Sequence, residues 1–173
     1  MNTKNLVLMA LLIGVGAVLY IIVPGINGMK PDFLLTMMFI SILLFPQAKN
    51  VFLLGATTGL ISGLFSMFPG GFVPNIIDKF VTAFIFFAFV LLLQKAANKL
   101  AVGVLLTFAG TLISGIIFLS TAIFVFGAEA FFTELFLIVV LPTTVLNAVA
   151  FFIINPIIAQ LLKRSNFKTA LSI

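Results

Sequence analysis

Cysteine, histidine and tryptophan are absent from this sequence, and charge is scarce, with only 8% of its 173 residues ionisable as Asp, Glu, Lys or Arg. Without cysteine there are no disulfides and no thiolate chemistry. Without histidine there are no imidazole metal ligands and no imidazole acid–base catalysis. A soluble domain carries about 25% charged residues, and a chain this poor in charge cannot cover its surface in water. No G-x-x-x-x-G-K-[ST] loop is present to cradle ATP, and no G-x-S-x-G elbow or metal-ligand cluster appears. What is abundant is apolar: 63% of residues are hydrophobic, and 22 of them are phenylalanine. The net charge of +5 does not suggest nucleic acid, because the basic residues sit singly or in short clusters between apolar runs.

These features predict an all-α integral membrane protein, a single membrane domain over 1–173. A spanning helix needs about 20 apolar residues. The charges divide the chain into six candidate spans. They are Leu6–Val23, Phe33–Phe45, Val51–Phe68, Ile76–Gln94, one within Leu100–Phe126 (about 101–126) and one within Phe136–Leu162. The first run is longer than a signal-peptide core and no small-residue cleavage site follows it, so it is expected to stay as span 1. Span 2 is short, about 20 Å of helix. The charge distribution favours keeping it. With the N-terminus inside, the inner segments hold Lys4, Lys49, Lys95, Lys99, Lys163, Arg164 and Lys168 and no acid. The outer ones hold Lys30, Asp32, Asp78, Lys79, Glu129 and Glu134. That is the positive-inside pattern, with both termini cytoplasmic.

Two stripes of small residues mark close helix approach. Gly55, Gly59 and Gly63 lie on span 3, and Ala10, Gly14 and Ala17 on span 1. Each stripe suits either packing inside the bundle or docking on another membrane subunit.

Every acidic residue falls at the outer side, in three clusters: Met29–Asp32, Phe68–Lys79 and Gly127–Glu134. In the second, Pro69, Gly70, Gly71 and Pro74 form a shaped loop before span 4. Asn75 suits an N-cap, with Asp78 in the first helical turn, and Asp32 suits the same role on span 2. Capping and ligand binding are compatible. Phe68 and Phe72 flank the glycines and offer faces to a flat ligand. Within the spans, Asn147 suits either a ligand contact or an interhelical bond. Asn155, beside Pro156, suits a structural bond. Gln94 lies at an inner helix end. On these boundaries no ionisable residue falls mid-span, which leaves intramembrane catalysis and coupling through a buried carboxylate without support.

The motifs Gly28-Met-Lys-Pro-Asp32, Phe68-Pro-Gly-Gly71 and Pro74-Asn-Ile-Ile-Asp-Lys79 resemble those of the bacterial tryptophan transporter (TrpP-type) family. That family is grouped with the substrate-binding S components of energy-coupling factor (ECF) vitamin transporters. The resemblance covers essentially the whole chain. It implies a six-transmembrane-helix, S-component-like bundle in the bacterial cell membrane, with a substrate pocket near the outer face. It implies tryptophan as substrate. The residues are compatible with that: Asp32 and Asp78 suit an ammonium, Lys30, Lys79 and Asn75 suit a carboxylate, Phe68 and Phe72 suit an indole, and Asn147 is a further candidate contact. The resemblance further implies that Ala10, Gly14 and Ala17 dock on an ECF coupling protein, with Gly14 in place of the usual alanine. Two partner ATPases would use the ATP, and this chain would hold no cofactor. Another flat substrate, such as nicotinate, and a non-transport membrane scaffold are the competing readings.

Overall fold

The structure is a computed structural model that describes residues 3–24, 30–93, 96 and 99–164. The described residues form helices and no strands. In chain order they are α1 (Thr3–Ile22), α2 (Phe33–Leu44), α3 (Ala48–Leu64), α4 (Phe72–Leu92), α5 (Leu100–Val125) and α6 (Phe132–Arg164). Of these, α1, α4, α5 and α6 are long and apolar enough to cross a membrane, while α2 is apolar but short. Gln94, Lys95, Lys168, Gly28 and Met29 lie outside the described residues.

Local chemistry sets the helix ends. Asp32 caps α2, its Oδ1 accepting from Leu35 N at 3.0 Å. Pro46 follows the end of α2, where it cannot continue the helix. The helix α4 begins at Phe72, four residues before its expected start at Ile76. Pro74 therefore lies within its first turn rather than ahead of it. There the missing N–H of proline costs nothing, because first-turn N–H groups have no intrahelical partner. Gly70 turns the chain ahead of α4 with φ of 70°, and Gly127 turns it between α5 and α6 with φ of 67°. Both of those helices carry a five-residue π-type turn beside that connection, Thr121–Val125 and Phe136–Val140. The second immediately precedes Leu141-Pro142, where a wider turn relieves the clash of the proline ring with the preceding carbonyls.

The helix α2 is the centre of the bundle, buried on every face from Leu34 to Leu44. A helix that is apolar all round belongs inside, and this explains a sequence that shows no polar stripe. Around α2 the contacts are mostly between helices of opposite direction. Against α4, a Cβ on Gly59 would lie 2.9 Å from Ile76 Cα, and one on Gly63 would lie 2.8 Å from the Phe72 carbonyl. The α3 stripe therefore serves internal packing. The α1 stripe does so only at Ala17, which packs against the core. Ala10 and Gly14 are exposed, Ala17 is half-buried, and a Cβ at Gly14 would meet nothing. The α1 glycine that packs inward is Gly16, against Met37. Between α5 and α6, Gly103 accommodates the Phe151 ring and Gly115 abuts Val140.

Candidate functional site

The shape of α4 positions the site. Starting at Phe72 puts Asp78 six residues in, about 9 Å along the axis. Asp78 and Lys79 are thus not first-turn residues at a helix mouth. They are buried within an apolar helix, with side-chain exposures of 0% and 5%. This corrects the expectation that no ionisable residue falls deep within a span. It also removes the capping role from Asn75 and Asp78, since Gly71 is the residue ahead of α4. Asn75 instead turns back, its Nδ2 donating to the Gly71 carbonyl at 2.7 Å and to Ser66 Oγ at 3.1 Å. The carbonyl can only accept, which orients the amide. Asn75 Oδ1 then accepts no bond among the described residues and remains available.

An isolated charge cannot remain in such a place, so the ion pairs are closely knit. Lys79 Nζ lies 2.8 Å from Asp78 Oδ2, 2.9 Å from Asp32 Oδ2 and 3.1 Å from Ser114 Oγ. An ammonium has three N–H groups, and all three are matched. Asp78 accepts from Lys79, from Ser114 Oγ at 2.9 Å and from Thr82 Oγ1 at 2.9 Å. Asp32 is less enclosed, with 17% of its side chain exposed. Its backbone N–H donates to Asn147 Oδ1 at 2.7 Å, and Asn147 Nδ2 donates to Thr111 Oγ1 at 3.3 Å. Asn147 is thus the bond between α6, α5 and the start of α2, and it does not line the cavity.

Above this network lies a cavity of about 520 Å³, inside the roughly 300–1,000 Å³ range of small-molecule sites. The polar floor comes from Asp32, Asp78, Lys79 and Ser114. Aromatic wall is supplied by Phe68 and Phe118, whose rings meet edge-to-face with centroids 5.4 Å apart. Tyr20 and Lys30 stand together on another side. Lys30 Nζ sits 3.9 Å from the Tyr20 ring centroid and donates to the Tyr20 carbonyl at 2.9 Å. Burial lowers the affinity of Lys30 for its proton below that of free lysine, and the charge of Asp32 partly offsets this.

The structure therefore gathers Lys30, Asp32, Phe68, Asn75, Asp78 and Lys79 around one cavity. Phe72 is not among the lining residues. Its ring turns toward Gly63 on α3, and the side chain is 41% exposed. Sequence reasoning missed Tyr20, Ser66, Thr111, Ser114 and Phe118. A signal for three of them exists: Thr111, Ser114 and Phe118 recur at helical spacing on one face of α5. Asn155 Oδ1 is buried without a partner among the described residues, so the expected structural bond is not seen at its carbonyl. No cluster of acidic side chains that would hold a metal occurs among the described residues.

Comparison with known proteins decides the family. The family model for the tryptophan transporter TrpP matches residues 2–163. The chain belongs to this family. It is 49% identical over 171 residues to a "Probable tryptophan transport protein" of Bacillus subtilis, covering 98% of this chain and 99% of that one. Proteins of the same name from Clostridium perfringens and Clostridium acetobutylicum are 37% and 42% identical. They cover 95% and 86% of this chain, and 96% and 88% of their own lengths. No solved structure matches. TrpP proteins are transporters, not enzymes, and the four long apolar helices agree with a membrane protein.

Proposed function

We propose that this protein takes up tryptophan across the bacterial cell membrane, capturing it from outside in the cavity above Asp32. The observation that carries this is the pairing of a charged, hydrogen-bonded floor with an aromatic wall in one 520 Å³ cavity. A zwitterionic aromatic amino acid needs both. The exposed edge of Asp32 takes the ammonium, because a carboxylate offers about four acceptor sites and among the described residues the side chain meets only Lys79 and Leu35. Lys30 at the rim takes the carboxylate. The indole lies against Phe68 and Phe118, and Asn75 Oδ1 accepts its N–H.

The chain crosses six times with both ends in the cytoplasm. Support comes from the basic ends of α1, α3, α5 and α6, which carry Lys4, Lys49, Lys99, Lys163 and Arg164. These collect at one end of the bundle, away from Asp32 and Asp78. In the S-component reading, a coupling protein docks on the exposed Ala10–Gly14 face of α1, and two ATPase subunits drive the cycle.

The test is equilibrium binding of L-tryptophan and of nicotinate to the purified protein in lipid nanodiscs. Saturable tryptophan binding, competed by unlabelled tryptophan and not by nicotinate, is expected. Saturable binding of nicotinate alone would replace the substrate, and binding of neither would favour a scaffold. Copurification of ATPase subunits, lost in Gly14→Leu, tests the coupling.

A further inference from the structure

We propose that Asp78 sets the site's preference for a ligand ammonium without touching the ligand. This rests on tryptophan occupying the cavity. Three ionisable groups form its floor: Asp32, Asp78 and Lys79. Two carboxylates against one ammonium leave a formal charge of −1. The three groups are not equivalent. Asp78 is fully buried, and every neighbour that contacts its carboxylate donates to it, namely Lys79, Ser114 and Thr82. Although Asp78 borders the cavity, its side chain has no exposed surface, and three donors already fill most of its acceptor sites. Lys79 has each N–H matched to Asp32, Asp78 or Ser114, so a ligand carboxylate finds no free donor there. Only Asp32 combines charge with exposure.

What Asp78 contributes is arithmetic. Lys79 alone would cancel Asp32 and make the floor neutral. By holding Lys79 at 2.8 Å, Asp78 takes up its positive charge and leaves the charge of Asp32 uncompensated toward the cavity. Charge in an enclosed, poorly solvated place acts strongly. The floor therefore selects amines and rejects acids, while Lys30 at the rim accounts for the ligand carboxylate. Asp78 is a specificity-determining residue that acts through Lys79.

The test compares tryptophan with two analogues that each lack one charge, tryptamine and 3-indolepropionate. Because the chain contains no tryptophan, the indole fluorescence of each ligand reports binding directly. In wild-type protein tryptamine binds more tightly than 3-indolepropionate. Asp78→Asn makes the floor neutral and shifts that ratio toward the acid by at least about tenfold, one step of roughly 1.4 kcal/mol. A shift of less than about threefold overturns the proposal. The double variant Asp78→Asn/Lys79→Gln removes one acid and one base together. Only the more exposed Asp32 then loses its counter-ion, whereas Asp78→Asn or Lys79→Gln alone changes the net charge of the buried network. It restores a floor charge of −1, so the wild-type ratio is expected to return. Loss of the amine preference in the double variant would show that Asp78 is itself the ammonium's partner, and would overturn the proposal even if the single variant does not fold. Wild-type protein that binds no tryptophan saturably would instead refute the transport reading on which this one stands.

Discussion

Helices α2 and α4 run side by side in the same direction, and their two halves are built on opposite principles. In the first half they meet through charge, Asp32 against Lys79 at 2.9 Å. Two turns further along they meet through rings. Phe39 and Phe86 are both fully buried and stack with centroids 4.0 Å apart and planes within 11°. Gly110 of α5 makes room for this pair, since a Cβ there would lie 2.8 Å from Phe39. The charged half is open to a cavity and the aromatic half is sealed. Such an arrangement gives a recognition surface that water can reach, set on a plug that it cannot. In the proposed reading the same two helices carry selectivity and closure in series.

Breaking one half should leave the other readable. The largest effect is expected for Lys79→Met, which strands two carboxylates. Removing one partner of a buried ion pair costs about 3–5 kcal/mol, and tryptophan binding should vanish with it. Thermal unfolding followed in detergent, with and without ligand, checks both. Unchanged stability would mean that the pairs are solvated and the first half is not the ordered network described. Phe39→Ala deletes one ring of the sealed half, with a stability loss of about 3–5 kcal/mol. Its tryptophan affinity should stay within about threefold of wild type, because the ring lies outside the cavity lining. A larger loss would show that recognition and closure are not separable. Asp32→Asn removes the exposed charge while keeping the shape. A hydrogen bond to a charged group contributes about 1.5–3 kcal/mol, so affinity should fall by at least about tenfold in fluorescence titration.

Much of the charged half was legible in the sequence. Asp32 read as a cap is a cap, and the clusters around residues 30 and 68–79 do converge. The depth of Asp78 and Lys79 was not legible, for a specific reason. Pro74 reads as the end of the loop, but a proline in the first turn of a helix breaks nothing, so α4 starts earlier than the proline suggests. That single displacement turns two end residues into buried ones. The contribution of α5 was hidden differently. Thr111 and Ser114 are small hydroxyls in an apolar run, and such residues satisfy themselves on their own helix as readily as across an interface. Indeed Thr111 does both, donating to the Thr107 carbonyl and accepting from Asn147. The stack of Phe39 on Phe86 was not foreseeable among 22 phenylalanines, because composition says nothing about which rings meet.

The aromatic wall of the cavity sharpens the contrast, since Phe68 and Phe118 line open space where Phe39 and Phe86 stack in the sealed core. An aromatic pair contributes about 0.5–1.5 kcal/mol beyond burial. Phe118→Leu should therefore weaken tryptophan binding by about two- to tenfold with little change in stability. Phe72→Leu, outside the cavity lining, should leave affinity unchanged, and equal losses in both variants would dissolve the distinction between wall and exterior.

The smallest effect concerns the rim. Lys30 is half-buried against Tyr20, and desolvation lowers its pKa below the ordinary lysine value. A ligand carboxylate binds the charged form. Affinity is then complete below the Lys30 pKa and is lost as pH rises through it, earlier than for an unperturbed lysine. Tryptophan would confuse the measurement because its own ammonium also titrates in alkali. 3-Indolepropionate carries no ammonium and isolates the Lys30 step. Its affinity should decline with rising pH, by about 0.2–1 kcal/mol in all, the scale of a solvent-accessible ion pair. In Lys30→Gln the affinity starts lower and the decline disappears. A decline that persists in that variant would assign the titration to another group and take the ligand carboxylate away from the rim.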